Sequence, residues 1–222
     1  MHRPTILLSV FLLTAVAAAA DPLDAVFARI DAAAKTFKGM TADISDTQHT
    51  ALVDENDVQT GTIKLLRVKP DVTRLLVNLK GSGGTRTIAL DGQEAKTYNP
   101  KTNTLDVFPL ASRQGLVNQV LLLGFGATSA ELKANYDVSY GGAEKIGAQA
   151  TSRIVLVPKS PEMRRDLKQA ELWIGENGLA VQQKFLRTSG DYQLATYTNV
   201  KSGGLPERDL ELKPKGAIIQ KH

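Results

Sequence analysis

The chain has 222 residues, 27 lysines and arginines against 23 acids, three histidines and no cysteine. Such a length suits one large domain or two small ones, and the lack of cysteine excludes disulfide bracing, thiolate chemistry and Cys-ligated metal. The net charge of +4 is a mild bias towards acidic partners, and no Lys/Arg stripe interleaved with aromatics marks a nucleic-acid surface.

The first residues, MHRPTILLSVFLLTAVAAAA, read as a secretory signal peptide. His2 and Arg3 form a basic start, Thr5 to Ala17 an apolar stretch too short to span a bilayer comfortably, and Ala18-Ala19-Ala20 a small-residue cleavage site. Cleavage after Ala20 leaves a mature chain, 21–222, expected to be one domain. Its first residue is Asp21 and not Cys, so no lipid anchor is expected on it.

Asp21-Pro22 is an N-cap followed by proline at the first helical position. Leu23, Val26, Phe27, Ile30, Ala34 and Phe37 then repeat at helical spacing, and Gly39 stands where a C-cap would end the helix. Met40, Ala42 and Ile44 alternate with polar residues, and VDENDVQTG reads as a polar turn. TIKLLRVK is a strand stopped by Pro70-Asp71. RLLVNLK runs into GSGG, a hairpin tip that lacks the Lys-Ser/Thr and helix start of a phosphate loop. TRTIAL, QEAKTY and NTLDVF follow, bounded by Asp91-Gly92 and Asn99-Pro100.

Ser112 to Ala127 changes the pattern. Leu116, Val117, Val120, Leu121, Leu123 and Phe125 cover more than one face of a helix, and SAELKANY is a second short helical piece. Strands resume with YDVSY, SRIVLVPK, QAELWIG, LAVQQKFLR, YQLATYTNV and RDLELKP. About eleven strands joined by tight turns argue an antiparallel sheet curled towards a barrel. With so few helices, the economical fold is α+β: an incomplete (half) β-barrel, its concave face covered by the N-terminal helix and a mid-chain helical lid. LLRVK and RLLVNL carry Leu or Val on both faces, so the concavity is either filled by the helices or left as an apolar cavity.

Catalytic groups are sparse. The mature chain keeps only His49, in a polar alternating strand, and His222 at the C-terminus. A Ser-His-Asp triad or a His-based metal site would have to use them, and no metal or other cofactor is expected. Acids such as Asp54, Glu55 and Asp57 fall mostly in turns, where solvated loop charge is the simpler reading, although paired carboxylates of a hydrolase remain an alternative.

GTIKLLRVKPDVTRLLV followed by TIALDGQEAKTYNPKTNTLDVF resembles the LolA family, exported carriers of outer-membrane lipoproteins, and its broader lipoprotein-sorting relatives. The family's Gly-led strand ending in basic-Pro, an Arg shortly after, Asp-Gly and Tyr-Asn-Pro are matched in order by Gly61, Lys69, Pro70, Arg74, Asp91, Gly92, Tyr98, Asn99 and Pro100. IVLVPKS, LKQAELWIGENGLAVQQKFL and YQLATYTNVKSGGLPERDLELKPKG continue the order, so the resemblance covers nearly the whole mature chain.

The resemblance implies an unclosed barrel whose lidded apolar cavity shields lipoprotein acyl chains, or those of another lipid, across the periplasm. It further implies an inner-membrane release complex as donor, an outer-membrane acceptor, a monomer, and no enzymatic activity. On this reading Leu65, Leu75, Val77, Ile88, Leu90 and Phe185 are the sheet-side cavity residues, and a one-residue register shift would move half of them to the other face. Leu116, Val120, Leu123 and Phe125 are lid-side, with Lys69 and Tyr98 near the lid contact.

The chain departs from the best-known branch. Lys69 replaces an Arg that helps hold the lid closed, and it offers a point charge without a planar fork of donors. Val72-Thr73 and Lys96-Thr97 replace aromatics, and Trp173 is the only tryptophan. A lipid-sensing regulatory module of envelope-stress signalling is the alternative from another functional class.

Overall fold

The computed structural model describes residues 22–69, 72–110 and 114–222, without the side chains of residues 114, 116, 118 and 119. The signal segment 1–20, its cleavage site, the strand-ending Pro70-Asp71 and the first residues of the insert lie outside the described residues. No described helix is long and apolar enough to cross a membrane.

Helix α1, Pro22–Thr36, forms as its spacing predicts, with Asp24 in the first turn and Lys35 in the last, both favourable to the helix dipole. It buries Val26, Phe27, Ile30 and Ala34. Gly39 is not its C-cap. It opens strand β1, Gly39–Thr50, where a Cβ would lie 2.6 Å from the Leu65 carbonyl oxygen. The glycine is set by a close strand approach rather than by the end of a helix.

Five further strands follow as a meander: β2 Glu55–Lys69, β3 Val72–Gly81, β4 Gly84–Asp91, β5 Glu94–Asn99 and β6 Thr104–Pro109. Helices α2, Gln114–Leu122, and α3, Ser129–Asn135, come next. The second meander is β7 Tyr136–Ile146, β8 Gln149–Pro158, β9 Leu167–Gly175, β10 Ala180–Arg187 and β11 Tyr192–Ser202, with the short helix α4, Pro161–Arg164, before β9. β11 returns to pair antiparallel with β1. One sheet results, in the order β12-β6-β5-β4-β3-β2-β1-β11-β10-β9-β8-β7, where β12 is Ile218–Lys221. Its ends do not meet, so it is an α+β incomplete barrel.

Three expectations are corrected. The polar turn is confined to residues 51–54, and Glu55 to Thr60 already pair with β1. Backbone pairing needs no apolar side chains, and this hairpin end projects beyond the core. RDLELKP is not a strand: Glu207–Leu210 is a 3₁₀ turn whose Leu210 packs on Leu66, Leu76 and Ala89. The last strand is instead β12, parallel to β6, with all four residues exposed. Helix α4 was not expected, although Ser160 caps it and Pro161 occupies its first turn.

The sheet has two apolar faces for two reasons. Inward, Met40, Leu65, Leu75, Leu172 and Ile174 join Val26, Phe27, Ile30, Leu123 and Phe125 of the helical side in the main core. Outward, Leu66, Leu76 and Ala89 form a smaller cluster beneath Leu205, Leu210 and Leu212 of the C-terminal strap. The paired leucines of LLRVK and RLLVNL thus serve opposite faces of one sheet.

Gly61 sits where β3 passes so close that a Cβ would fall 1.7 Å from the Asn78 carbonyl oxygen. Relief requires backbone movement, so Gly61→Ala is expected to cost about 2 kcal/mol or more of unfolding free energy, measured by urea denaturation.

Tyr136 is 2% exposed and its hydroxyl has no hydrogen-bond partner among the described residues. Burial pushes its phenol up to about 12, and Tyr197 is pushed up as well, by burial and then by Asp46. A phenol raised in the fold contributes stability that is complete below the unfolded value near 10 and disappears as pH rises through the folded value. Thermal melts should therefore fall steeply between about pH 10 and 12. Tyr136→Phe should flatten that fall and leave neutral-pH stability unchanged or higher, since it removes an unpaired buried hydroxyl.

Candidate functional site

The inner face is covered unequally. Helix α1 belongs to the β8–β10 side: Arg29 Nη2 donates to Ser152 Oγ at 2.8 Å. Gly178, in the β9–β10 turn, lies so near α1 that a Cβ would be 2.1 Å from the Arg29 carbonyl oxygen. Helix α3 is fastened to α1, because the Asp31 carboxylate accepts from Ser129 N and Oγ, both at 2.7 Å. A capping box between Thr128 and Glu131 starts α3.

Helix α2 faces β1–β4, β10 and β11, and nine residues do not fill that space. A cavity of about 520 Å³ remains, within the size range of small-molecule sites. Its sheet-side wall includes Ile44, Ile63, Leu65, Leu75, Val77, Leu79, Ile88 and Phe185. The lid side supplies Val120, Leu121 and Phe125.

The lid is fastened at its C-terminal end, in the turn Leu123 to Gly126. Arg67 Nη2 donates to the Gly126 carbonyl oxygen at 2.6 Å, with its guanidinium 5.9 Å from the Phe37 ring centroid. Ala180 N donates to the Gly124 carbonyl oxygen at 2.9 Å, and the Gln183 amide donates to that of Leu123. Gln183 in turn accepts from the Tyr197 hydroxyl at 2.8 Å, and Tyr197 meets the Phe125 ring edge-on with centroids 4.9 Å apart. Gly124 and Gly126 both have positive φ, 76° and 102°, so their carbonyls can turn towards the sheet at no steric cost.

Polar residues occupy one end of the cavity. Along β1 the inner positions run Ile44, Asp46, Gln48; on β2 they run Ile63, then Gln59 and Asp57; on β4, Ile88 then Arg86. On β10 and β11 the same change runs from Phe185 to Arg187 and from Ala195 to Gln193. Gln48 pairs in register with both Asp57 and Gln193, while Arg86 stands nearer the apolar part, level with Leu79, Gly61 and Ile44.

Of the sequence-derived residues, Leu65, Leu75, Val77, Ile88, Phe185, Val120 and Phe125 meet around this cavity. Leu90 packs against the main core and Leu123 is 1% exposed within it. The side chain of Leu116 lies outside what is described. Lys69 is exposed at the end of β2, and Tyr98, on β5, donates to Asn103 Oδ1 at 2.9 Å. The lid contact from this strand comes from Arg67, two residues before Lys69. Sequence reasoning missed Arg67, Gln183 and the polar end, although Arg67 is the only arginine of β2 and shares the parity of Ile63 and Leu65. Among the described residues no group of acids or histidines is placed to hold a metal ion.

No family model matches the sequence, and neither does any curated protein. Solved structures match in fold. An uncharacterised conserved protein from Thermus thermophilus aligns over 91% of this chain and 100% of its own, at 14% identity and TM-score 0.57. MucB aligns over 91% of this chain and 66% of its own, at 14% identity and TM-score 0.50. The LolA superfamily protein NE2245 from Nitrosomonas europaea aligns over 85% and 97%, at 11% identity and TM-score 0.40. At these identities the likeness is one of fold, which the chain shares with the Thermus thermophilus protein and with MucB.

Arg67→Met removes a charge-assisted bond to the lid turn and should cost about 2 kcal/mol. Hydrogen exchange is expected to speed up selectively at the amides of Leu123 to Ala127, with those of β8 and β9 unchanged.

Proposed function

We propose that the protein is an exported, non-enzymatic carrier that shields the acyl chains of lipoproteins or a related lipid between its sheet and helix α2. The observation that carries this reading is the cavity of about 520 Å³ under α2, apolar over most of its wall and bounded by a lid held at one end. An acyl chain leaving water for such a wall gains roughly 0.8 kcal/mol per buried CH₂. No covalent step is needed to hold it. Release needs only a competing apolar acceptor and movement of α2 away from the sheet.

The signal-peptide pattern of residues 1–20 supports a periplasmic location. In that compartment the mature chain, 21–222, would act as a single-domain monomer, receiving cargo from an inner-membrane release complex and passing it to an outer-membrane acceptor. The resemblance of the stretch from Gly61 to Pro100 to the LolA family supports a carrier.

A second reading rests on the likeness to MucB, a protein whose structure is known in complex with MucA. On that reading the cavity senses a lipid, and the output is a changed affinity for a regulatory protein of the envelope-stress response.

Native mass spectrometry of protein purified from its own envelope separates these readings. Stoichiometric acylated cargo supports the carrier, whereas an empty chain that captures a regulatory partner supports the sensor. Turnover of an ester or glycoside would overturn both. Val120, partly exposed on the cavity wall, offers the sharper test. Val120→Asp should abolish recovery of lipid with circular dichroism and melting largely retained, while Leu123→Asp should unfold the protein, since it buries a charge in the core.

A further inference from the structure

The apolar wall accounts for a chain-like ligand but not for the basic side chains beside it. Arg86 lines the cavity from β4, level with Leu79 of β3, and Arg187 lines it from β10, two residues beyond Phe185. Among the described residues neither side chain makes a hydrogen bond or an ion pair, although Asp191 attracts Arg187 through space. Arg86 Nε is buried with no hydrogen-bond partner among the described residues. A guanidinium nitrogen in that position carries an unmet desolvation cost.

The carboxylates nearby do not answer that need. Asp46 accepts from Gln48 at 2.8 Å and from Gln193 at 2.7 Å. Asp57 accepts from Gln59 at 2.6 Å and from Ser82 at 3.1 Å. The acids are thus engaged by neutral donors, while Arg86 and Arg187 line the cavity without an ion pair among the described residues. A planar guanidinium binds phosphate or carboxylate oxygens in a paired, directional way. An acyl group with a neutral head would leave Arg86 Nε as it is.

We propose that the cavity selects an amphiphile with an anionic head, a phosphate or carboxylate, set against Arg86, and with its chain along Leu65, Leu75 and Val77. The assignment rests on the carrier reading and narrows it to acidic lipids. The cavity continues past Val120, Phe185, Arg187 and Gln193 into a second recess of about 380 Å³ beside α4, which also presents Arg165.

The test uses the mature chain loaded with the neutral fluorophore N-phenyl-1-naphthylamine, displaced either by monopalmitoylglycerol or by its phosphate ester, which share chain and glycerol. The phosphate ester should displace the probe at about tenfold lower concentration or less, as expected for a charge-assisted bond. Arg86→Gln should bring the two competitors level, and Arg86→Lys, which keeps the charge, should retain part of the preference and controls for folding.

Equal displacement by both lipids in the native protein, or a preference that survives Arg86→Gln, overturns the anionic-head assignment and leaves the carrier reading standing. Failure of both lipids to displace the probe overturns both. If inorganic phosphate alone protects the site as well as the phosphate ester does, the arginines serve a free anion and the lipid-head assignment falls.

Discussion

The ladder between β1 and β11 is the joint on which the molecule turns. Each meander is assembled from hairpins between chain neighbours, but the two halves share a sheet only where Met40 meets Ser202 and His49 meets Tyr192. Without that pairing β1–β6 and β7–β11 would each present an unmatched edge, and the inner face would be divided. With it, Gln183 and Tyr197 of the second half stand beside Leu65 and Val77 of the first, and one lid can touch both. The partners are separated by most of the chain, so this contact is among the slower ones to form.

Unequal filling of the inner face follows from helix chemistry. Helix α1 has a full amphipathic stripe ending near Phe37 and can be pressed flat against the sheet. The insert is short, and its glycine-containing turn sends Leu123 and Phe125 into the core while α2 bridges over the remaining strands. The lid is therefore a bracket anchored by backbone carbonyls, with Arg67, Gln183 and the Ala180 amide as its fasteners. Carbonyl acceptors tolerate changes in neighbouring side chains, which suits a divergent sequence.

Much of this was legible in the residues. The alternation of Met40, Ala42 and Ile44, the Asp-Gly and Asn-Pro turns, and the crowded apolar insert all led to a curled antiparallel sheet under helices. Parity along LLRVK and RLLVNL separated Leu65 from Leu66 and Leu75 from Leu76 once pairing was known. What escaped was long-range or backbone-borne. β12 has no buried alternation and is recruited only by the edge of β6, while RDLELKP has strand-like composition but is held as a strap by Leu210. Arg67 was passed over for Lys69 because a motif position was weighed above reach: the side chain that matters is the one whose length and fork arrive at Gly126. The polar end could not be seen at all, since it is assembled from one or two residues on each of five strands.

The missing closure of the sheet has a further meaning. In a sealed barrel, strand number and stagger set the bore, and every chamber of that type has one diameter. Here hydrogen bonding stops at β7 and β12, and nothing in the ladder prescribes a circumference. The width of the chamber is governed by how far α2 stands from the strands it bridges. Such a container has an adjustable gauge: small changes in curl, spread over many weakly bent strand pairs, would let one sequence accommodate contents of different girth without breaking a single rung.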